Sequence, residues 1–257
     1  MSLVLEVCVD TVESAVAVQN GGAQRIELCG DLRDGGITPS AGLIQAVRSE
    51  VHIELFVMVR PRGGDSFYTQ HEFQAMQNDI VHARNLRADG VVLGLLDKHG
   101  NVDVERTGQL VELARPMQVT FHRAFDMSAD LDESLTRVLE TGAHRILTSG
   151  GMQSIEHGAQ RVVSLVRAAQ GKIIIMAGGG LRPANIHRIA AQTGAPEYHS
   201  SLRRKVDGPM VYRNPALKLG AVAEDEFSRY IVLEEDVRRL RRALDSIANE
   251  VGESVSP

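Results

Sequence analysis

The residues most able to do chemistry stand at the end of one predicted strand, within the segment VTFHRAFD at residues 119–126. Apolar and polar residues alternate there, so one face of the strand is apolar and the other is polar. His122, Arg123 and Asp126 follow as the strand ends. Because a polar face on a buried strand is costly unless it looks into a site, these three side chains are candidate catalytic residues. A single histidine that is hydrogen-bonded inside a core would give the same pattern.

The elements that position these residues form a repeated strand-then-helix pattern. Eight short apolar segments alternate with segments of helical pattern, which favours parallel strands, and eight such units in 257 residues are typical of a (β/α)₈ barrel. A doubly wound open sheet would usually carry a Gly-x-Gly-x-x-Gly turn after its first strand, but here that strand ends in Cys8-Val9-Asp10. We therefore predict an α/β protein that is a single (β/α)₈ TIM-like barrel domain over residues 1–257. An extra C-terminal helix is predicted over about residues 224–249.

Composition excludes several classes of function. The net charge is −5 and no basic block is present, so nucleic acid is not an expected partner. No apolar run approaches the roughly 20 residues that a membrane span requires, and the N-terminus lacks the pattern of a secretory signal. With only two cysteines the chain is not a disulfide scaffold, and we expect a cytoplasmic protein with reduced thiols.

In a barrel of this kind the loops that follow the strands line one mouth. Seven of the eight predicted strand ends carry polar, thiol or glycine-rich residues. These are Glu6 with Cys8, Glu27 with Cys29, Met58 with Arg60, His122 with Arg123 and Asp126, Thr148 with Ser149, the three glycines from Gly178, and His199 with Ser200. A purely structural barrel needs no such residues at its mouth, so the pattern predicts a site. The carboxylates could instead form an internal ion-pair network with Arg25 or Arg60.

A run of glycines follows the seventh strand. The backbone N–H groups of Gly178, Gly179 and Gly180 could turn inward and cradle an anion, as the loops after strands seven and eight of such barrels often do. Ser200, on the eighth strand, would add a donor. The alternative is a tight turn that simply requires glycine.

The two cysteines lie on the predicted inward face of sequential strands. Neighbouring parallel strands are about 4.8 Å apart, so the sulfurs of Cys8 and Cys29 could approach each other if the strands are in register. Two soft thiolates suit Cu(I), whereas the four-ligand set of a structural zinc site is absent nearby. A free cysteine is also often just a small buried apolar residue.

Taken together, the chain resembles the CutC family of cytosolic proteins named for copper homeostasis, over about residues 3–215. The carrying motifs are LEVCVD from residue 5, RIELC from residue 25, VRPRGGD from residue 59, TFHRAFD from residue 120, LTSGG from residue 147, MAGGG from residue 176 and YHSS from residue 198. The resemblance implies a TIM-like barrel, a cytoplasmic location and a homodimer. It also implies copper tolerance and Cu(I) binding, with Cys8 and Cys29 as the thiol ligands.

Two thiols leave much of the predicted mouth unexplained, so a second hypothesis is an enzyme acting on a small phosphorylated or carboxylated molecule. In it, Glu27 or His122 would be the general base, and Arg60 with Arg123 would hold the anion of the substrate. A third option places a hard divalent ion on Glu27 and His122.

Overall fold

The computed structural model describes residues 3–214, 216–217 and 226–253. Eight parallel strands form a closed barrel, in which each strand pairs with the next along the chain and the eighth pairs with the first. The strands are β1 (Val4–Val9), β2 (Arg25–Leu28), β3 (Glu54–Met58), β4 (Gly90–Leu93), β5 (Gln118–Phe121), β6 (Arg145–Thr148), β7 (Ile174–Ala177) and β8 (Glu197–Ser200). The predicted barrel is therefore confirmed.

Helices alternate with the strands and surround the barrel. They are α1 (Val12–Asn20), α2 (Ala41–Glu50), α3 (Gln70–Asn85), α4 (Val104–Ala114), α5 (Leu131–Thr141), α6 (Ile155–Ala169), α7 (Ile186–Thr193) and α8 (Glu234–Glu253). Local signals set their ends: Thr11 accepts a hydrogen bond from the Ser14 N–H at the start of α1, and Gly142 ends α5 with a φ of 78°. The C-terminal helix α8 packs between α7 and α1 and so occupies the eighth place in the ring.

The predicted start of the C-terminal helix was wrong. Residues 218–225 lie outside the described part of the chain, and the next segment is a strand, β10 (Ser228–Val232). It pairs antiparallel with β9 (Arg203–Asp207), which follows β8 directly. The helix begins only at Glu234. The pairing partner of β10 lies more than twenty residues earlier in the chain, so the local charge pattern could not reveal it.

None of the helices in the described part of the chain combines the length and the apolar character needed to cross a membrane.

Candidate functional site

The interior of the barrel beneath the mouth is ionic. The Arg25 Nε donates to Glu6 Oε2 at 2.5 Å, and its Nη2 pairs with Glu197. The Arg145 Nε donates to the same Glu197 at 3.0 Å. Both guanidinium groups lie 4.9 Å from the centroid of the Phe56 ring. The alternative of an internal network thus holds for Glu6, which is fully buried.

One histidine connects this interior layer with the mouth. His199 Nδ1 lies 2.7 Å from Glu6 Oε1, and its Nε2 lies 3.9 Å from Glu27 Oε2. Burial alone would raise the pKa of Glu6, but Arg25 and His199 outweigh it and lower the pKa to about 2. Burial likewise opposes the charged form of His199, but Glu27 and the hydrogen bonds to Cys8 and Glu6 raise its pKa well above the usual value. The two neighbouring carboxyl groups therefore favour the charged form of His199.

The predicted base Glu27 is buried beside this histidine. Burial raises its pKa to about 7, although the charge of His199 acts in the opposite direction. Its Oε2 accepts from the Cys29 thiol at 3.6 Å, whereas its Oε1 is buried with no hydrogen-bond partner among the described residues. The pKa of Glu27 thus lies near neutral pH, and its Oε1 has no hydrogen-bond partner among the described residues.

The two cysteines are close in space but are not opposite each other. The Cα of Cys8 pairs with that of Glu27, and Cys29 lies two residues beyond Glu27, just after the end of β2. One ligand atom from each of Cys8, Glu27 and His199 lies within 4.8 Å of the others, a spacing that could hold a metal ion. Burial raises the pKa of Cys29 well above its usual value, with Glu27 and Cys8 adding to the effect. Cys8, Cys29 and Met58 also belong to one cluster of buried residues, so three sulfur atoms surround this corner of the mouth.

On the other side of the mouth, His122 ends β5 and caps a short 3₁₀ turn. Its Nδ1 accepts from the Ala124 N–H at 3.1 Å, and its Nε2 is buried. Burial and the nearby Arg60 lower the pKa of His122 to about 3, so the ring is neutral. Arg60 donates to the backbone carbonyls of Asp34, Gly36 and Gly64, each at 2.9 Å.

Arg123 and Asp126 come together as a pair that anchors a loop. The Arg123 Nε donates to Asp126 Oδ2 at 2.7 Å, and Asp126 also accepts from the N–H groups of Ser149 and Gly151 and from the Thr148 hydroxyl. Arg123 still reaches the mouth, whereas Asp126 is 5% exposed at its side chain and is not among the residues that line the mouth.

The glycine run forms turns whose polar groups bond to neighbouring segments of the chain. The Gly178 N–H donates to the Thr148 carbonyl at 3.0 Å, and the Gly179 carbonyl accepts from the Ile155 N–H at 2.8 Å. The Gly180 carbonyl accepts from the Asn185 side chain, and the buried Ser200 hydroxyl donates to the Leu181 carbonyl. Gly180 also borders a second cavity of about 190 Å³ with Arg182, Arg203 and Arg204. Anion binding by these residues stays a prediction.

A cavity of about 360 Å³ opens at the carboxyl ends of the strands and brings five of the eleven predicted site residues together, without the three glycines or Asp126. Those in its wall are Cys8, Glu27, Arg60, His122 and Arg123, together with His199, Met58, Leu32, Leu147, Met127 and Arg203. Cys29 and Ser200 are buried outside this wall.

Sequence reasoning missed the partners beneath the cavity. Glu197 precedes His199 by two residues and so shares its face of β8, which was the available signal. Arg145, at the start of β6, carried no such signal because its partner Glu197 is 52 residues away in the chain.

Known proteins match this chain over most of its length. Residues 3–204 match the model of the CutC family. The copper homeostasis protein cutC homolog of Mus musculus is 45% identical, with 96% of this chain and 90% of the relative covered. The family protein CutC of Chromobacterium violaceum is also 45% identical, with 95% and 99% covered. The solved CutC structure from Streptococcus agalactiae superposes with a TM-score of 0.73 at 32% identity, covering 77% of this chain and 97% of that one. The printed names of the mouse relative and of the Streptococcus agalactiae structure refer to copper homeostasis, so the comparisons favour that function over the enzyme alternative.

Proposed function

This chain belongs to the CutC family, a family of copper homeostasis proteins, and from that premise we propose that it binds copper as Cu(I) at the mouth of its barrel. The observation that carries the proposal is that Cys8 and Cys29 belong to one buried cluster, beside a group formed by Cys8, Glu27 and His199 whose ligand atoms lie within 4.8 Å of one another. Sulfur and imidazole ligands are those that copper prefers in proteins.

The donor chemistry around this cluster fits a soft ion. Cys8 supplies a thiolate and His199 an imidazole nitrogen, and Cys29 and Met58 are further sulfur donors in the same buried cluster. We assign Cys8 and Cys29 as the thiolate ligands. Because burial raises the pKa of Cys29, its thiolate forms when the metal replaces the proton. The carboxyl oxygen of Glu27 is a hard donor and contributes little to the affinity for Cu(I).

The test is an anaerobic competition titration against a Cu(I) chelator. We expect about one Cu(I) per chain, because the two thiolates form one linear site. Cys8→Ser and Cys29→Ser should each lose most of the affinity, since one thiolate cannot complete linear coordination. Glu27→Gln is the matched control: it keeps a buried hydrogen-bonding group of the same size and should retain Cu(I) affinity.

Two outcomes would contradict the proposal. One is a wild-type affinity no tighter than that of the double Cys→Ser variant. The other is a divalent ion such as Zn²⁺ binding more tightly than Cu(I), with the affinity lost in Glu27→Gln. The second result would assign the cluster of Cys8, Glu27 and His199 to a mixed sulfur, oxygen and nitrogen site.

We also propose a cytoplasmic location and a homodimer. Both cysteines are free and buried, which suits a reducing compartment. The homodimer rests on the family resemblance, and light scattering of the purified chain would measure it.

A further inference from the structure

The wall of the cavity contains a buried donor that has no acceptor among the described residues. His122 is 7% exposed and lines the cavity, and its Nε2 has no hydrogen-bond partner within the described part of the chain. Since Nδ1 accepts from the Ala124 N–H, the proton of the neutral ring is on Nε2. A buried donor left unpaired is destabilising, so a ligand that supplies an acceptor would relieve this cost.

A second unpaired donor lies in the same wall. Arg203 begins β9 just after the eighth strand, and its guanidinium lies 5.3 Å from the centroid of the Tyr230 ring. Its Nη1 is buried and has no hydrogen-bond partner among the residues that the structure describes. His122 follows β5 and Arg203 follows β8, and both residues line the same cavity, although Arg203 also borders the second one.

The charge of the wall is positive. The Arg60 guanidinium donates to three backbone carbonyls, and in the described ranges no carboxylate lies within ion-pair distance of it. Arg123 is paired with Asp126, and Glu27 is the one residue with a carboxyl group among the described residues that line the cavity. Arg203 interacts with the Asp10 carboxyl group, which offsets part of its charge. Arg60 therefore supplies most of the excess positive charge, which favours a negatively charged acceptor.

We propose that this wall binds the oxyanion group of a small organic anion, a phosphate monoester or a carboxylate, with His122 Nε2 and Arg203 Nη1 as donors and Arg60 as the neighbouring positive charge. The cavity volume of about 360 Å³ exceeds what a bare inorganic ion fills and lies in the range of small-molecule sites. Leu32 and Met127 offer apolar surface to the carbon part of the ligand. The inference goes beyond copper binding and does not depend on it.

The test is calorimetry on the full metal-free chain with two probes, glycerol 3-phosphate and malate. At least one should bind, and the tighter probe assigns the oxyanion as phosphate or carboxylate. In His122→Asn the new Oδ1 can still accept from the Ala124 N–H, because asparagine is a favoured cap residue, but the Nε2 donor is gone. This variant and Arg203→Gln should each weaken binding about tenfold or more, as expected for one hydrogen bond to a charged group.

Arg182→Gln is the matched control. It removes the same charge from an exposed arginine that borders the second cavity and not this one, and should leave the affinity within about twofold, a change of roughly 0.4 kcal/mol. A second readout needs no variant: the nitrogen-15 resonance of His122 Nε2 should shift when the probe is added. The proposal is overturned if neither probe binds. It is also overturned if the His122 resonance does not shift when a probe is added. If Arg182→Gln loses affinity for the probe and His122→Asn keeps it, the anion binds in the second cavity and not in this one.

Discussion

Replacing Arg25 with methionine should destabilise the barrel severely. The Arg25 side chain is 2% exposed and pairs with both Glu6 and Glu197. Without it, among the described residues Glu6 retains His199 as its one cationic partner and Glu197 retains Arg145. Removing one partner of a buried ion pair costs about 3–5 kcal/mol, against a total stability of about 5–15 kcal/mol. For a chain of this size the loss corresponds to a fall in Tm of roughly 6–20 °C.

Urea unfolding followed by circular dichroism would measure this loss. The matched control is Arg137→Met, which breaks a pair with Glu133 on the exposed face of α5 and should cost about 0.5 kcal/mol or less. The double variant Arg25→Met with Glu6→Gln should recover part of the loss, because it removes one of the unpaired carboxylates. If Arg25→Met costs no more than Arg137→Met, the interior network does not stabilise the barrel and the reasoning fails.

Two further predictions concern acidification and glycine packing. The pKa of His122 is about 3 in the folded chain, below its value in the unfolded chain. Since the unfolded chain then binds the extra proton, the contribution of His122 to the free energy of unfolding should fall below pH 6.5, by up to about 1.4 kcal/mol per pH unit. Urea titrations between pH 7 and pH 5 should show a shallower decline in His122→Asn; equal slopes would contradict this. Gly158→Ala would place a methyl group 1.7 Å from the Ser149 carbonyl oxygen and should cost about 1–3 kcal/mol. Gly108→Ala meets nothing within 4 Å in α4 and should raise Tm, so calorimetry that finds the two changes equal would refute the packing argument.

The barrel was predictable from the sequence because its signals are local. Alternation within β5, the cap at Thr11 and the glycine after α5 each depend on a few neighbouring residues. The gathering of Glu27 and His122 in one cavity followed from the rule that strand ends converge.

What could not be predicted depends on contacts between distant segments. The pairing of β9 with β10 joins residues more than twenty positions apart, and the bond from Arg25 to Glu197 spans 172 positions. The offset of Cys29 from Cys8 depends on the register between two strands, which alternation alone leaves open. The lack of a partner for His122 Nε2 among the described residues depends on the positions of all the atoms around the ring, which come from several segments of the chain.

The charged interior also restricts how such a barrel could change over generations. Two arginines and two glutamates on four different strands are balanced as a group, and the loss of any one leaves a buried charge uncompensated. Phe56, which both guanidinium groups face, belongs to the same group. Apolar residues of the same total volume could replace the four charged residues. However, each single substitution on the way would give a less stable protein. A descendant would therefore reach such an interior through coupled changes at positions that lie far apart in the sequence.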